Sequence, residues 1–393
     1  MGTYAASTSS TDSASRDLLR AIACQATNSG AQVDVLVQKI CDWDQLFNLA
    51  DEHRVLPMLH SRLGNTDRAI PALARQRIRA AYERNAFHSL TNAAELISLL
   101  KAFDQEKIQA MPFKGVVLGA SAYHDLTTRP AGDLDLLIAY EHIPQAIAIL
   151  LERGYEFLPE DRARPTDSLP ASPGRCGEYH LERRADGMMI ELRWGLELAE
   201  RHFRRSLGID WVWPRRRSTM LAGAEVPNMS PEITLLVLCM HGSKHVWSRL
   251  IWICDVAQLL ESESDFDWQE AIREAKRIGL WRPLALGVLL AHRVAGAAAP
   301  EAVLRSFESD ATTRKLTQHV EENLFASPGS RPVGRLPYSI QLLGFRDRVR
   351  FLLSLDFLRP TNRDQAAVRL PRLLQPLHYL LRPFRIIRDQ SPR

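Results

Sequence analysis

The sequence predicts an α+β protein in which a small mixed sheet lies between two helical regions. Three observations predict it. Before residue 107, apolar residues recur at helical spacing with no strand signal. Between Ile108 and Trp194, short apolar runs are bounded by turn residues, and from Pro231 onward helical spacing returns. The expected division is a disordered tail over 1–15, a helical region over 16–106, an α/β core over 107–227 and a second helical region over 228–393.

The elements follow in order. Leu18, Leu19, Ile22 and Ala23 form one apolar stripe, and Trp43, Leu46, Phe47 and Ala50 form another. Pro57 marks a helix boundary just after Val55-Leu56. A long helical pattern runs from Leu73 to Phe103. In the core, Ile108–Phe113 reads as a strand, Gly115–Tyr123 as a small-residue helix, His124–Gly132 as a polar loop and Leu134–Ala139 as a second strand. Ile143–Arg153 is an amphipathic helix closed by Gly154, and Tyr155–Leu158 is a further strand. Asp161–Gly177 reads as a surface loop. Tyr179–Arg183 and Met188–Trp194 form a hairpin, because Asp186-Gly187 is a strong turn signal. Ile233–Trp247, Leu250–Glu261, Trp268–Gly279 and Pro283–Ala298 are the clearest later helices.

Composition narrows the function classes. The 393 residues include 46% hydrophobic ones, enough for a sizeable core. Fifty Lys and Arg against 46 Asp and Glu give a formal charge of +4, too mild to mark nucleic acid as a partner. The five cysteines, Cys24, Cys41, Cys176, Cys239 and Cys254, include no Cys-x-x-Cys pair. They argue against a disulfide framework and for a reducing, cytoplasmic setting. His292 and Arg293 interrupt the apolar stretch Pro283–Pro300, so no membrane span is expected. The late arginines Arg369, Arg372, Arg382, Arg385 and Arg388 read as a solvated face.

The chemistry concentrates in PFKGVVLGASAYHDLTTRPAGDLDLLI. Asp133 and Asp135 open a strand, where residues i and i+2 share a face. Two carboxylates on one face suit Mg²⁺, which prefers a few carboxylates plus substrate phosphates. Lys114, the Gly115 backbone and Arg129 supply the positive charge and close backbone approach that phosphates need. Glu191, inside the apolar strand MMIELRW, is the expected third carboxylate, with a salt bridge to a basic neighbour as the alternative. Its face carries Met189 and Arg193; Ile190, Leu192 and Trp194 occupy the other. A second cluster comprises His241, Lys244, His245, Trp247, Arg249, Trp252 and Asp255. His241, Lys244 and His245 are candidate substrate-facing residues, and a core role for the cluster is the alternative.

These motifs resemble the polymerase-β-type nucleotidyltransferase superfamily, and within it a bacterial nucleotidyltransferase-like family. The resemblance rests on Lys114-Gly115, Tyr123, Arg129, Gly132-Asp133-Leu134-Asp135 and Glu191-Leu192-Arg193-Trp194. It extends through Glu52-His53-Arg54, through HGSKHVWSRLIWICD and to the Arg-rich C-terminus. Two departures stand out: most active superfamily members carry Gly-Ser at Lys114-Gly115, and Arg193 replaces a more usual histidine. The resemblance implies a polymerase-β-type fold with Asp133, Asp135 and Glu191 as metal and catalytic residues and Mg²⁺ or Mn²⁺ as cofactor. It also implies a nucleoside triphosphate as partner and transfer of a nucleoside monophosphate to an unidentified acceptor hydroxyl. A nucleotide-binding or regulatory module of the same fold is the second reading.

Overall fold

A computed structural model of the chain describes residues 5–23, 30–63, 70–162, 177–196, 207–326 and 335–344. Cys24, Cys176, most of the expected 161–177 loop and the five late arginines lie outside the described residues.

The central sheet has five strands: β1 (Ala110–Phe113), β2 (Asp133–Ile138), β3 (Tyr155–Phe157), β4 (Glu178–Arg183) and β5 (Met188–Arg193). Their order is β1-β2-β5-β4-β3. β2 and β5 are parallel, and the other neighbouring pairs are antiparallel. The sheet is thus mixed, and its strands lie within two residues of the expected bounds. Asp186 and Gly187 turn the β4–β5 hairpin, with Gly187 at φ 71° and its N–H donating to the Arg183 carbonyl at 2.8 Å. That positive φ suits a residue without a Cβ.

Alternation assigns each sheet face to a different core. Ala110, Leu134, Leu136, Ile138, Ile190 and Leu192 pack with Leu96, Leu99 and Phe103 of the helix Ala72–Gln105 and with Ile147 and Leu150 of the helix Ile143–Glu152. Met111, Phe113 and Leu137 point the other way, into a larger helical core. That core joins both ends of the described chain. Leu18, Leu19, Leu46, Phe47 and Met58 share it with residues of the helices Pro231–Lys244, Leu250–Ser262 and Trp281–Ala295. The helices before residue 64 and those from Pro231 onward are therefore one body on one face of the sheet, while the later turns of the helix Ala72–Gln105 cover the other face.

Two features depart from the sequence reading. Most of the 1–15 segment expected as a disordered tail is helical, within the helix Ala5–Ala23. Its Ala, Ser and Thr are compatible with a helix, and the buried Leu18, Leu19 and Ile22 anchor its second half. The chain also forms a second hairpin, β6 (Arg216–Leu221) and β7 (Ala224–Met229). Its two turn residues, Ala222 and Gly223, have φ 47° and 85°. This is the hairpin-favoured pattern of paired positive φ, but with alanine in a place usually marked by Asn, Asp or Gly.

The helical body holds its end of the site through Trp247. Trp247 is fully buried at φ 49°. A Cβ on Gly242 would stand 2.5 Å from its ring, and one on Gly287 only 2.4 Å from Cys239 Sγ. Both glycines are thus required by close approach, and they allow the chain to turn sharply between the helices Pro231–Lys244 and Leu250–Ser262. No helix among the described residues is long and apolar enough to cross a membrane.

Candidate metal centre

β2 and β5 place the carboxylates. Because the strands are parallel neighbours, Asp135 is the register partner of Glu191, and Asp133 that of Met189. Ligand atoms of Asp133, Asp135 and Glu191 lie within 4.8 Å of one another. Asp133 is exposed at the strand start, Asp135 is buried and Glu191 is half-buried. The donor set fits a hard divalent cation, which takes carboxylate oxygens and leaves coordination positions to substrate phosphates. Alternation puts these acids on the same face as Leu137, towards the helical body.

The cluster carries its own counter-charges. Lys114 Nζ lies 3.1 Å from Asp135 Oδ1. The Arg193 guanidinium contacts Glu191 and Glu178, and its Nε lies 3.7 Å from Asp135. Glu191 thus makes the salt bridge weighed as an alternative while also belonging to the three-acid group. Burial pushes the Asp135 carboxyl up to about 6, against the pull of Lys114. Burial acts upward on Glu191 too, but hydrogen bonds with His180 and Asp135 and the charges of Arg193 and Lys114 outweigh it and hold it at about 2. Of these two adjacent acids Asp135 is therefore the easier to protonate and Glu191 the harder.

Lys114 stands at the entrance to the helix Gly115–Ser121 with φ 57°, and Gly115 follows at φ 43°. A Cβ on Gly115 would lie 3.3 Å from the Asp133 carbonyl. The turn is therefore pressed against the start of β2, and this carries the Lys114 side chain to the acids.

Arg129, expected at the phosphates, is buried and paired. Its Nε and Nη2 donate to the two Asp255 oxygens at 2.8 and 2.9 Å. Its Nη1 donates to the carbonyls of Gly115 and Pro130 at 3.2 and 3.1 Å. Tyr123 completes the group, donating to Asp255 at 2.8 Å. Arg129 cannot reach a ligand without breaking a buried pair, so it positions the Lys114-Gly115 turn against the helix Leu250–Ser262.

The second cluster packs beside this centre. His241, His245 and Trp252 form a ring group with centroids 4.7 to 5.4 Å apart. Burial holds His241 well below its ordinary value, reinforced by Lys114, His245, Arg193 and Lys244. His241 therefore lies within electrostatic reach of the acid cluster's own cations. Neither His241 nor His245 belongs to a group able to hold a metal among the described residues.

Sequence reasoning missed three neighbours: Glu178, His180 and Asp161. His180 is the register partner of Glu191 on β4, with Nε2 3.3 Å from the Glu191 carboxylate. Its Nδ1 and backbone N–H both meet the buried Asp161, at 2.9 and 2.8 Å. The hydrogen bond to Glu191, with help from Asp161, pushes His180 up to about 9 against burial. Glu178, His180 and Glu191 form a second group with metal-compatible spacing. The signal was the alternation Glu-x-His on the strand already paired with MMIELRW.

Residues 41–296 match the family described as “Uncharacterised nucleotidyltransferase”, and the chain belongs to that family. No protein of curated function matches the chain.

Proposed function

We propose that the protein moves a nucleoside monophosphate from a nucleoside triphosphate to an acceptor hydroxyl. The acceptor hydroxyl gives up its proton to solvent, its oxygen forms the new bond to the α-phosphorus, the α–β phosphoanhydride breaks, and pyrophosphate leaves. The observation that carries this reading is the Asp135–Glu191 register pair with Asp133 beside it, in a chain of the nucleotidyltransferase family. Asp133, Asp135 and Glu191 are the residues suited to hold Mg²⁺ or Mn²⁺. The cation, when bound, would neutralise the phosphates and lower the pKa of the attacking hydroxyl.

The chain's own residues supply positioning and charge. Asp133, exposed at the strand start, meets incoming substrate first. Glu191, held strongly acidic, is better suited to ligation than to taking the acceptor's proton. Lys114 is paired to Asp135 in the resting site; once a cation compensates the acids, its ammonium is released towards the triphosphate. His241, Lys244 and His245 border the same face and are candidates for contact with base or acceptor.

One observation favours the second reading, a nucleotide-binding module without turnover. Lys114 and Arg193 neutralise the acids internally, so the cluster persists without any cation. Measuring pyrophosphate release with each nucleoside triphosphate, a cell extract and Mg²⁺ separates the two. Metal-dependent transfer of label to an extract component supports the transferase; nucleotide binding without pyrophosphate release supports the module.

A further inference from the structure

Arg129 is paired with Asp255 and Lys114 with Asp135, so neither offers an unpaired charge to a triphosphate. Two guanidiniums stand beside the metal centre with no use assigned to them. Arg54 follows the helix Trp43–Glu52, and Arg249 precedes the helix Leu250–Ser262. His53 holds these segments together. Its carbonyl accepts from Ile251 N–H at 3.3 Å and its Nδ1 from Leu250 N–H at 3.1 Å. Arg54 and Arg249 are the immediate neighbours of this junction.

Each also reaches the site. Arg54 Nη1 lies 3.6 Å from where a Cβ on Gly132 would stand, against the residue preceding Asp133. Arg249 lies over the Trp252 ring, 5.6 Å from its centroid, and Trp252 packs on His241 and His245. Neither guanidinium makes an ion pair or side-chain hydrogen bond among the described residues. Burial and the charge of Arg54 depress Arg249, with Glu52 offsetting part of it. Two cations are thus held near each other with Glu52 compensating only in part and, among the described residues, with no ion pair between them and it. The backbone agrees: Arg54 sits at φ 54°, a left-handed helix-end conformation that glycine adopts more easily. An arginine at this φ is strained where glycine would not be.

Resting on the nucleotidyltransferase reading, we propose that Arg54 and Arg249 form a phosphate subsite that grips the polyphosphate chain of the nucleoside triphosphate across the mouth of the Asp133–Asp135–Glu191 cluster. Guanidinium forks match phosphate oxygens in pairs, which fixes the direction of the chain as well as its charge. The leaving pyrophosphate would remain on these arginines as the α–β bond breaks.

The test is calorimetric titration of the full chain with inorganic tripolyphosphate, in chelator and at fixed ionic strength, and with a nucleoside triphosphate plus Mg²⁺. Arg54→Gln and Arg249→Gln are each expected to weaken tripolyphosphate roughly tenfold to hundredfold. Arg305→Gln, on the exposed face of the helix Glu301–Ser309, is expected to bind as wild type does. Melting temperatures of all three variants check folding, and Arg249→Gln alone keeps the test alive if Arg54→Gln misfolds. Tripolyphosphate is expected to compete with the nucleotide. Unchanged affinity in the double variant, equal loss in Arg305→Gln, or simultaneous binding of tripolyphosphate and nucleotide would overturn the subsite. Tripolyphosphate bound through this pair without metal-dependent nucleotide binding would uphold the anion site and remove the transferase reading. Nucleotide transfer at undiminished kcat/KM in both variants would remove the subsite alone.

Discussion

Arg129 and Asp255 are 126 positions apart and meet in a two-pronged buried ion pair, at 2.8 and 2.9 Å. This pair ties the loop before β2 to the helical body, and so holds the three-acid cluster between the sheet and the helices. Asp255→Asn keeps the volume but leaves the Arg129 guanidinium buried without its counter-charge. Loss of a partner from such a pair costs about 3–5 kcal/mol. Urea denaturation is expected to show a loss of unfolding free energy of that size, and a loss below about 1 kcal/mol would make the pair energetically neutral.

Asp133→Asn addresses chemistry rather than stability. Asp133 is exposed, so folding should be little affected. Removing one of the three proposed ligand charges is expected to lower monophosphate transfer by orders of magnitude, of which roughly 100-fold is a conservative reading of lost metal affinity. Pyrophosphate release equal to wild type would take Asp133 out of the site.

Lys114→Ala separates the two states of Lys114. The variant loses the 3.1 Å contact to Asp135, and with it a charge for the triphosphate. Nucleotide affinity in Mg²⁺ is expected to fall by about 1.5–3 kcal/mol. Calorimetry giving an unchanged Kd would confine Lys114 to neutralising the resting acids.

Gly287→Ala tests the packing behind the site. The added methyl would sit 2.4 Å from Cys239 Sγ and 3.0 Å from the Trp247 ring, both within a closed core. Overpacking of this kind costs about 1–3 kcal/mol. A thermal scan with an unchanged melting temperature would show that Trp247 has room to move.

His241 supplies a pH prediction whose sign is fixed by its depressed value in the fold. The unfolded chain binds a proton here below about 6.5, while the folded chain resists it. Wild type should therefore lose stability relative to His241→Gln as pH falls below about 6.5, by up to about 1.4 kcal/mol per pH unit. Denaturant titrations of both proteins at pH 7.5 and 5.5, chosen as about one unit either side of that value, give the difference directly. A difference independent of pH would mean that His241 takes up its proton in the fold as readily as in the unfolded chain.

Much of this architecture was legible in the residues. Asp133-Leu134-Asp135 opens an apolar run, and MMIELRW alternates cleanly, so β2, β5 and the three acids stood out. The role of Arg129 was not legible, because its partner Asp255 is remote in sequence and a positive charge beside Asp-x-Asp resembles a phosphate contact. His180 was hidden for a different reason. Its relation to Glu191 is set by hairpin register, which chain spacing does not express directly. The β6–β7 turn was missed because Ala222 adopts a positive φ without the usual turn residue. The junction of the two helical regions was equally silent, since an apolar stripe reports that it is buried but not against what.

That shared helical core has a consequence for synthesis. β1 to β5 leave the ribosome with Met111, Phe113 and Leu137 short of partners, because the core they belong to includes the much later helix Pro231–Lys244. The early helices must wait as well, because Leu18 and Phe47 share a core with residues as late as the helix Trp281–Ala295. Closing loops of this length is slow and leaves apolar surface uncovered in the meantime. A nascent chain therefore acquires its sheet well before its metal-facing side is enclosed, and Asp135 becomes buried only when the second half of the chain arrives.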